Sequence, residues 1–366
     1  MHHTFIVTHS TGELDIILPI IVDLLKKKDS KINIIITKKE IFNSIKIDNT
    51  YKKILCSKNI SYKYTPLLNK FDHGKLNFFL SLIFKFILSF LFLIKNFNIL
   101  RSDNIYIETT NQISKDLIFY ILNDIFKKKF YILHHAHSYN IYNIYLRLNP
   151  IKPINYEYLI FSKKHIEWCN SMGYKKNKII GFPKFFSNWI KEISKYDNFN
   201  KKNNYIIFSR PPHKFYMSEK NYKYLLNSSL ETILKIDDTA NIYIKPHPRE
   251  NFDLFKKNMK KEYIDNKNIK FTNLNSMTLS KNAKLIISFW TSAILESIIF
   301  NKPAIEYHIE SKNFKKVEPK GSLYKLLGFT TVRNKKDLLY FLTHTKKIKK
   351  INKNSFEEFN FKRFKI

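Results

Sequence analysis

The sequence is poor in cysteine. Its 366 residues include only Cys56 and Cys169, which are far apart and lack metal-ligand spacing. That pattern suggests neither a disulfide framework nor a zinc site. The first residues also lack the charged leader, long apolar region and small-residue cleavage site of a secreted protein. From these absences we expect a cytoplasmic protein of the reducing cytosol.

Acidic residues are also scarce. The sequence has 30 Asp and Glu against 64 Lys and Arg, which gives a formal net charge of +34. Such a balance attracts phosphates, nucleic acid or an anionic membrane surface. Because the charge forms no compact arginine-rich patch and no nucleic-acid motif is recognisable, we expect no nucleic-acid partner. A basic RNA- or membrane-binding protein without enzymatic activity stays open as an alternative.

Part of the basicity has a compositional cause. The lysines are spread along the chain together with abundant Asn and Ile, a pattern typical of AT-rich coding. The remainder predicts peripheral association with the anionic inner face of the cytoplasmic membrane.

Length and periodicity predict an α/β fold. A chain of 366 residues is long enough for two cores. Short apolar runs alternate with helical patterns, which is typical of parallel sheets covered on both faces. A polar segment rich in Asn and Lys, around 197–204, marks the boundary. We therefore predict two Rossmann-like domains facing across a cleft, over 1–195 and 205–335, with a C-terminal helix and basic tail over 336–366.

The most hydrophobic stretch runs from Leu76 to Leu100 and has Lys85 in its middle and Lys95 near its end. A central lysine costs roughly 2.5–3.5 kcal/mol on membrane-insertion scales, so we favour a helix that packs on the sheet or dips into the membrane interface. A buried core helix is the alternative. The spacing predicts a single face that packs on the sheet or dips into the interface, made of Phe78, Leu82, Phe86, Phe90 and Leu93.

The strongest functional signal is the segment Ile242 to Arg249, a buried-strand pattern that ends in a basic loop bracketed by prolines. In an open parallel sheet, ligands bind beyond the carboxyl ends of the strands. The prolines stiffen the backbone around His247, and a fixed imidazole between cations can bind a nucleotide phosphate and stabilise its leaving charge. A capped turn with a surface histidine is the alternative. The predicted donor-binding residues here are Lys245, His247, Pro248 and Arg249.

A second signal runs from Leu285 to Glu296: a strand, a turn bearing hydroxyls, then a helix predicted over 291–300. A helix N-terminus offers free backbone N–H groups and a partial positive charge, which hold phosphate without a metal. We predict donor contacts from Ser288, Thr291 and Ser292, and ribose contacts from Glu296. Plain N-capping by the hydroxyls, and a solvated charge at Glu296, are the alternatives.

Arg210 follows the strand predicted over 205–209 and is expected near the same phosphates. A solvent-exposed arginine is an equally good interpretation. The other strands predicted in this half cover 241–245, 269–272, 285–288 and 304–307.

Taken together, the Lys-Pro-His-Pro-Arg loop, the Ser/Thr turn and the following Asn-Lys-Pro-Ala-Ile-Glu-Tyr unit resemble the C-terminal donor domain of GT-B glycosyltransferases. The resemblance covers about 205–308. It is greatest to enzymes that use cytidine-linked donors: bacterial sialyltransferases, polysialyltransferases, Kdo transferases and CDP-glycerol polymerases. It implies that His247-Pro248 and Thr291-Ser292 contact the donor phosphate, that the first domain binds the acceptor, and that no cofactor or metal is needed.

The sequence departs from that family pattern at the general base. Several sialyltransferase families carry an Asp/Glu-Asp/Glu-Gly tripeptide, and none occurs here. An inverting transfer needs a group that removes the proton of the acceptor hydroxyl. Glu13 is our first candidate and Asp15 the second, since both follow the first strand. A glycine-containing turn with a helix cap is an equally good interpretation of that loop.

The run His134 to His137 ends another strand and offers a rival base. Alternate side chains of a strand point to opposite faces and no partner ligand lies nearby, so metal is not expected. We predict acceptor contacts from Gly12, His135 and His137.

The combined prediction is an inverting, metal-independent glycosyltransferase. It would move a nonulosonic acid such as sialic acid, or Kdo, from a CMP-activated donor to a glycan or lipid-linked glycan of a bacterial capsule or lipopolysaccharide. A UDP-sugar transferase, a CDP-glycerol transferase and a sugar-nucleotide epimerase of the same fold are the enzymatic alternatives.

Overall fold

The computed structural model describes residues 1–8, 11–66, 78–108, 117–134, 155–171, 174–196, 199, 203–247, 250, 252–318 and 320–365. The chain divides into two compact units. The first consists of Met1–Glu192 and Glu357–Ile366, and the second of Ile193–Phe356.

The first unit is built on a parallel sheet. Its described strands are β1 (His2–Val7), β2 (Lys31–Ile36), β3 (Ile60–Tyr64), β4 (Asn104–Glu108), β5 (Lys129–Leu133), β6 (Tyr156–Ile160) and β7 (Asn177–Ile179). They lie in the order β3-β2-β1-β4-β5-β6-β7, and every neighbouring pair is parallel. The reversal of direction beside β1 is the topological switch point of a doubly wound sheet.

The helices described in this unit are α1 (Thr11–Leu24), α2 (Lys39–Ile47), α3 (Asn49–Leu55), α4 (Phe78–Lys95), α5 (Leu117–Tyr120), α6 (Ile166–Ser171) and α7 (Ser187–Ser194). A π-helical turn, Ile121–Ile125, continues α5. Local chemistry sets their ends. Asp48, for example, precedes α3, and its carboxylate accepts the backbone N–H groups of Thr50 and Tyr51 at 2.9 and 3.2 Å, which satisfies donors that a helix start leaves free.

Helix α4 occupies the long apolar stretch, and of the face predicted for it Leu93 packs in the core while Phe86 and Phe90 do not. Phe92 and Leu93 are buried in the core of the unit beside Leu122, whereas Phe86 and Phe90 are 57% and 58% exposed. The side chains of Phe78 and Leu82 lie outside the described residues. Among the helices described, none has the length and hydropathy needed to cross a membrane.

The second unit holds another parallel sheet. Its described strands are β8 (Asn204–Phe208), β9 (Asn241–Lys245), β10 (Ile269–Phe271), β11 (Ala283–Ser288), β12 (Ala304–Tyr307) and β13 (Thr330–Val332). The order is β10-β9-β8-β11-β12-β13. Phe208 pairs with Lys245 on one side and with Ser288 on the other, so the carboxyl ends of β9, β8 and β11 are level.

The helices described in the second unit are α8 (Glu219–Ile236), α9 (Phe252–Asn258), α10 (Lys261–Ile264), α11 (Ser276–Lys281), α12 (Glu296–Ile299), α13 (Phe314–Val317), α14 (Leu323–Leu326) and α15 (Lys335–Thr343). The longest, α8, begins after Ser218, whose hydroxyl accepts the N–H of Asn221 at 3.1 Å. Its apolar face, with Leu225 and Leu226, is buried in the core formed by the strands of this unit.

The end of the chain packs on the first unit rather than forming a free tail. The N–H of Phe182 donates to the carbonyl of Glu358 at 2.7 Å, and the rings of Phe185 and Phe359 stack with centroids 4.2 Å apart. Gly181 makes this approach possible: its φ is +77°, and a Cβ there would lie 2.4 Å from Phe361. The predicted segment 336–366 is thus divided, with α15 in the second unit and 357–366 in the first.

Candidate functional site

Three of the predicted site segments lie at one edge of the second sheet. His247 follows β9, Arg210 follows β8, and Thr291 and Ser292 follow β11. Because β9, β8 and β11 are neighbours with level ends, the segments are consecutive along that edge. The ends of the outer two strands, β9 and β11, are about 10 Å apart, twice the spacing of neighbouring strands. This is the edge at which open parallel sheets bind ligands.

Glu250, which is not among the predicted site residues, fixes two of these segments. Its carboxylate accepts the backbone N–H of His247 at 2.6 Å and the Ser209 hydroxyl at 2.8 Å. The N–H of Glu250 donates in turn to the carbonyl of His247 at 2.8 Å. Glu250 therefore links the end of β8 to the loop after β9.

Burial raises the pKa of Glu250 to about 7, against the hydrogen bonds from His247 and Ser209 and the positive charge of Arg210. The raised pKa means that this carboxyl gains and loses its proton close to neutral pH. A signal for it was present in the sequence, as an acidic residue directly after a basic loop, but its partners depend on the fold of the loop.

The side chain of Arg210 is partly buried and is fixed by contacts with its neighbours. Its Nη1 donates to the carbonyl of Trp290 at 3.0 Å. Its guanidinium carbon lies 4.2 Å from the ring centroid of Tyr216 and 4.4 Å from that of Trp290. Stacking of this kind fixes the planar guanidinium and leaves its charge at the edge of the sheet.

Trp290 has an unusual backbone for a large residue. Its φ is +58°, in the left-handed region, and its ring is buried against Phe314 with centroids 5.2 Å apart. A non-glycine residue in that region costs of order 1–3 kcal/mol and is retained where surrounding structure requires it. Here the turn it makes between Ser288 and Thr291 sets the direction of the hydroxyl-bearing segment.

His308 follows β12 and is fully buried. Its Nε2 lies 3.0 Å from the carbonyl oxygen of Tyr216. Burial, with the nearby charges of Arg333 and Arg210, lowers the pKa of His308 to about 3. The ring is neutral at physiological pH, so it supports the aromatic cluster and adds no positive charge to the edge.

The three predicted hydroxyls have different surroundings. The Ser288 hydroxyl accepts the N–H of Thr291 at 3.2 Å, and the Thr291 hydroxyl accepts the N–H of Ala293 at 3.1 Å. Both are therefore used in shaping and capping the turn. Within the part of the chain that the structure describes, the partly exposed Ser292 hydroxyl makes no hydrogen bond. Ser292 is thus the best placed of the three to contact a ligand.

The segment after this turn differs from the single helix predicted over 291–300. A 3-10 turn, Ser292–Leu295, precedes the short helix α12. Glu296 is fully buried, and its carboxylate accepts the Ser276 hydroxyl at 2.7 Å. A contact with the ribose and a charge in solvent were the two interpretations of Glu296. Both require that its carboxylate be accessible, so its burial supports neither of them. Lys245, the last residue of β9, is partly exposed.

In the first unit, the two candidate bases contact the protein itself. Glu13 is fully buried, and its Oε2 accepts the backbone N–H of Thr8 at 2.9 Å. Asp15 accepts the Tyr51 hydroxyl and forms an ion pair with Lys184, Nζ to Oδ2 at 3.0 Å. Gly12, in the first turn of α1, is partly exposed. The geometry favours a structural role for Glu13, and Asp15 is the more accessible carboxylate.

Other predicted site residues fall outside the described residues: His135, His137, Pro248 and Arg249. His134 is described and is buried, with its Nδ1 3.2 Å from the Tyr158 hydroxyl. No group of three or more His, Cys, Asp or Glu in the described ranges is arranged to hold a metal ion.

Comparison with solved structures bears on the fold. The chain is similar to the UDP-GlcNAc 2-epimerase of Methanocaldococcus jannaschii in complex with UDP-GlcNAc and UDP, with a TM-score of 0.56 and 18% identity, over 96% of this chain and 95% of that one. It is similar to the Neisseria meningitidis UDP-GlcNAc 2-epimerase bound to UDP-GlcNAc, with a TM-score of 0.54 and 14% identity, over 94% and 91%. The chain has a GT-B-like fold.

This GT-B-like chain also resembles the Escherichia coli heptosyltransferase WaaC with ADP, but at a TM-score of 0.46 and 10% identity, over 94% of this chain and 99% of that one. That value is too low to support an argument. No protein-family model and no curated protein sequence matches the chain. The predicted α/β class with two Rossmann-like halves is confirmed by the two parallel sheets and by the epimerase structures.

Proposed function

We propose that the protein is a nucleotide-sugar-dependent enzyme that binds the nucleotide at the carboxyl edge of the second sheet. The observation that carries the proposal is the placement of Arg210, His247 and Ser292 at the ends of three neighbouring strands. Structures of the same fold contain UDP and UDP-GlcNAc, which supports a ligand of this class.

The reaction we propose is glycosyl transfer. An acceptor hydroxyl attacks the anomeric carbon, and the bond from that carbon to the phosphate oxygen breaks. The nucleotide leaves with the bonding electrons, and the acceptor proton passes to a base. The charge of Arg210 and hydrogen bonds from His247 and Ser292 would stabilise the phosphate as its negative charge grows, in place of a metal ion. Asp15 is our first candidate for the base, since Glu13 is buried.

The finer proposal concerns donor and acceptor. The motif resemblance supports a CMP-activated nonulosonic acid or Kdo as donor and a surface glycan or glycolipid as acceptor. A cytidine donor brings an anionic sugar as well as a phosphate to the edge, which matches the net charge of +34.

A sugar-nucleotide epimerase is the second candidate. It is favoured by similarity to UDP-GlcNAc 2-epimerases over more than nine tenths of both chains, at TM-scores of 0.56 and 0.54. Such an enzyme changes the sugar while it is attached to the nucleotide and needs no acceptor.

One experiment separates these reactions. The full chain is incubated with UDP-GlcNAc, CMP-sialic acid or CMP-Kdo, with and without a glycolipid acceptor, and products are resolved by chromatography. Nucleotide release that requires the acceptor supports transfer, and a new sugar nucleotide formed without acceptor supports epimerisation. His247→Ala should abolish either product, while His344→Ala, at an exposed histidine after α15, should not. Absence of turnover and of nucleotide binding with every donor would contradict the proposal.

A further inference from the structure

Helix α4 exposes a continuous apolar side. Its six principal residues are between 44% and 58% exposed, a range that is unusual for large apolar side chains on a single helix. They are Leu80, Ile83, Phe86, Ile87, Phe90 and Ile94.

These side chains lie on one side of the helix. At about 100° per residue, they fall within an arc of about 120°. Ser89, Phe92 and Leu93 lie outside that arc and are buried, and Phe92 and Leu93 belong to the same core as Phe119 of α5. Helix α4 is therefore anchored by one side and presents the other.

The charge around the helix has a single sign. Between Asp72 and Asp103 the sequence contains no Asp or Glu, and its cations are Lys75, Lys85, Lys95 and Arg101. Lys95 is exposed at the end of α4. The guanidinium of Arg101 lies 5.7 Å from the ring centroid of Phe97, which is itself 56% exposed. Apolar side chains and cations thus occur together at this end of the helix.

The apolar side chains and cations together indicate which partner would cover the exposed side of α4. A second copy of the chain would bring two molecules of net charge +34 together, with cations beside the contact on both sides. An anionic lipid surface accepts the apolar side chains below its head groups and attracts the cations at the same time. Charge complementarity therefore favours the lipid surface.

We propose that the exposed side of α4 docks on an anionic phospholipid membrane, with the helix lying in the plane of the interface. Leu80, Phe86, Phe90 and Ile94 enter the boundary between head groups and acyl chains, while Lys95 and Arg101 contact lipid phosphates. The proposal rests on α4 and does not depend on the reaction that the second unit catalyses.

Co-sedimentation of the full chain with vesicles tests this. Phosphatidylcholine vesicles containing 30% phosphatidylglycerol, about one third anionic lipid as at a cytoplasmic leaflet, are compared with phosphatidylcholine alone at low and high salt. The test variant is Phe86→Gln/Phe90→Gln. The control is Leu326→Gln, which replaces an apolar residue of α14 that is 56% exposed. Circular dichroism and the midpoint of thermal unfolding check that each variant is folded.

We expect the wild type and Leu326→Gln to bind the anionic vesicles and lose binding as salt rises, and the double variant to bind about tenfold more weakly. Equal binding by the double variant and the wild type would overturn the proposal. A wild type that does not bind the anionic vesicles would also overturn it. So would a wild-type dimer in sedimentation velocity that becomes a monomer in the double variant, because the exposed side of α4 would then be an interface between copies of the chain.

Discussion

At the scale of single residues, the Glu250 carboxyl joins the loop carrying His247 to the end of β8 through Ser209. Protonation on Oε1 removes the negative charge and keeps both contacts: Oε2 still accepts the N–H of His247, and the acid O–H donates to the Ser209 hydroxyl oxygen instead of accepting from it. The loop therefore keeps its position while the charge beside the proposed phosphate site changes near pH 7.

The first prediction concerns stability against pH. Because the folded pKa of Glu250 is about 7 and the ordinary value is 4.5, the folded state holds the proton more tightly than the unfolded state. Its contribution to stability is complete below pH 4.5 and is lost as pH rises through 7. Urea unfolding should show that the free energy of unfolding falls by about 2–3 kcal/mol over this window in the wild type, and that Glu250→Gln removes that part of the fall.

The control is Glu231→Gln, which changes an exposed carboxylate that pairs with Lys335 and whose pKa is lowered. It should keep the wild-type fall between pH 4.5 and 7. A Glu250→Gln variant that keeps the same fall would show that Glu250 is ionised throughout.

The second prediction concerns Arg210, whose planar group stacks on Tyr216 and Trp290. Arg210→Lys keeps the charge but loses the stacking and the fixed direction, so nucleotide affinity in calorimetry should fall about tenfold. Arg363→Lys, at an exposed arginine of the first unit, should leave affinity unchanged. If Arg210→Lys binds as well as the wild type, charge alone is sufficient at this position.

At the scale of elements, the third prediction concerns Gly181, where the end of the chain packs on the first unit. Gly181→Ala introduces a Cβ 2.4 Å from Phe361 and places alanine at a φ of +77°. We expect the variant to lose about 2–3 kcal/mol of stability in urea unfolding, from backbone strain and overpacking together. Adding Phe361→Gly, which removes the Cβ of residue 361 as well as the ring, should recover the steric part only. An alanine variant as stable as the wild type would show that the terminal segment is not held there.

Local sequence patterns predict some of the helices and strands and not others. The helical pattern over 219–236 in the sequence predicts helix α8 with its observed ends, Glu219–Ile236. Local patterns do not predict strands β3 and β13: β3 has no continuous apolar run and β13 has only three residues. Short strands are fixed by pairing with neighbours, and that information is not local.

The sequence predicts which loops form the candidate site, but not the contacts within them. Parallel topology places His247, Arg210 and Ser292 at one edge, and the motifs pointed to that edge. The partners within the loops were not predictable, because they depend on the left-handed turn at Trp290 and on the burial of Glu250, Glu296 and Glu13. A charged residue near a motif is exposed or buried according to the tertiary packing, and local sequence does not encode that.

At the scale of the whole molecule, a chain with net charge +34 combines two properties. The second unit carries a basic edge suited to a nucleotide, and the first carries an apolar helix side suited to a lipid surface. An enzyme that modifies lipid-linked glycans needs both, since its donor is soluble and its acceptor is in the membrane. The proposed docking of α4 would hold such an enzyme beside a lipid-linked acceptor.

The most direct measurement is calorimetry of the full chain against CMP, CDP, UDP and ADP, with the wild type, His247→Ala and His344→Ala. We expect the wild type and His344→Ala to bind at least one pyrimidine nucleotide equally well, and His247→Ala to bind it about tenfold or more weakly. Failure of the wild type to bind every nucleotide, or equal binding by His247→Ala, would contradict the proposed function.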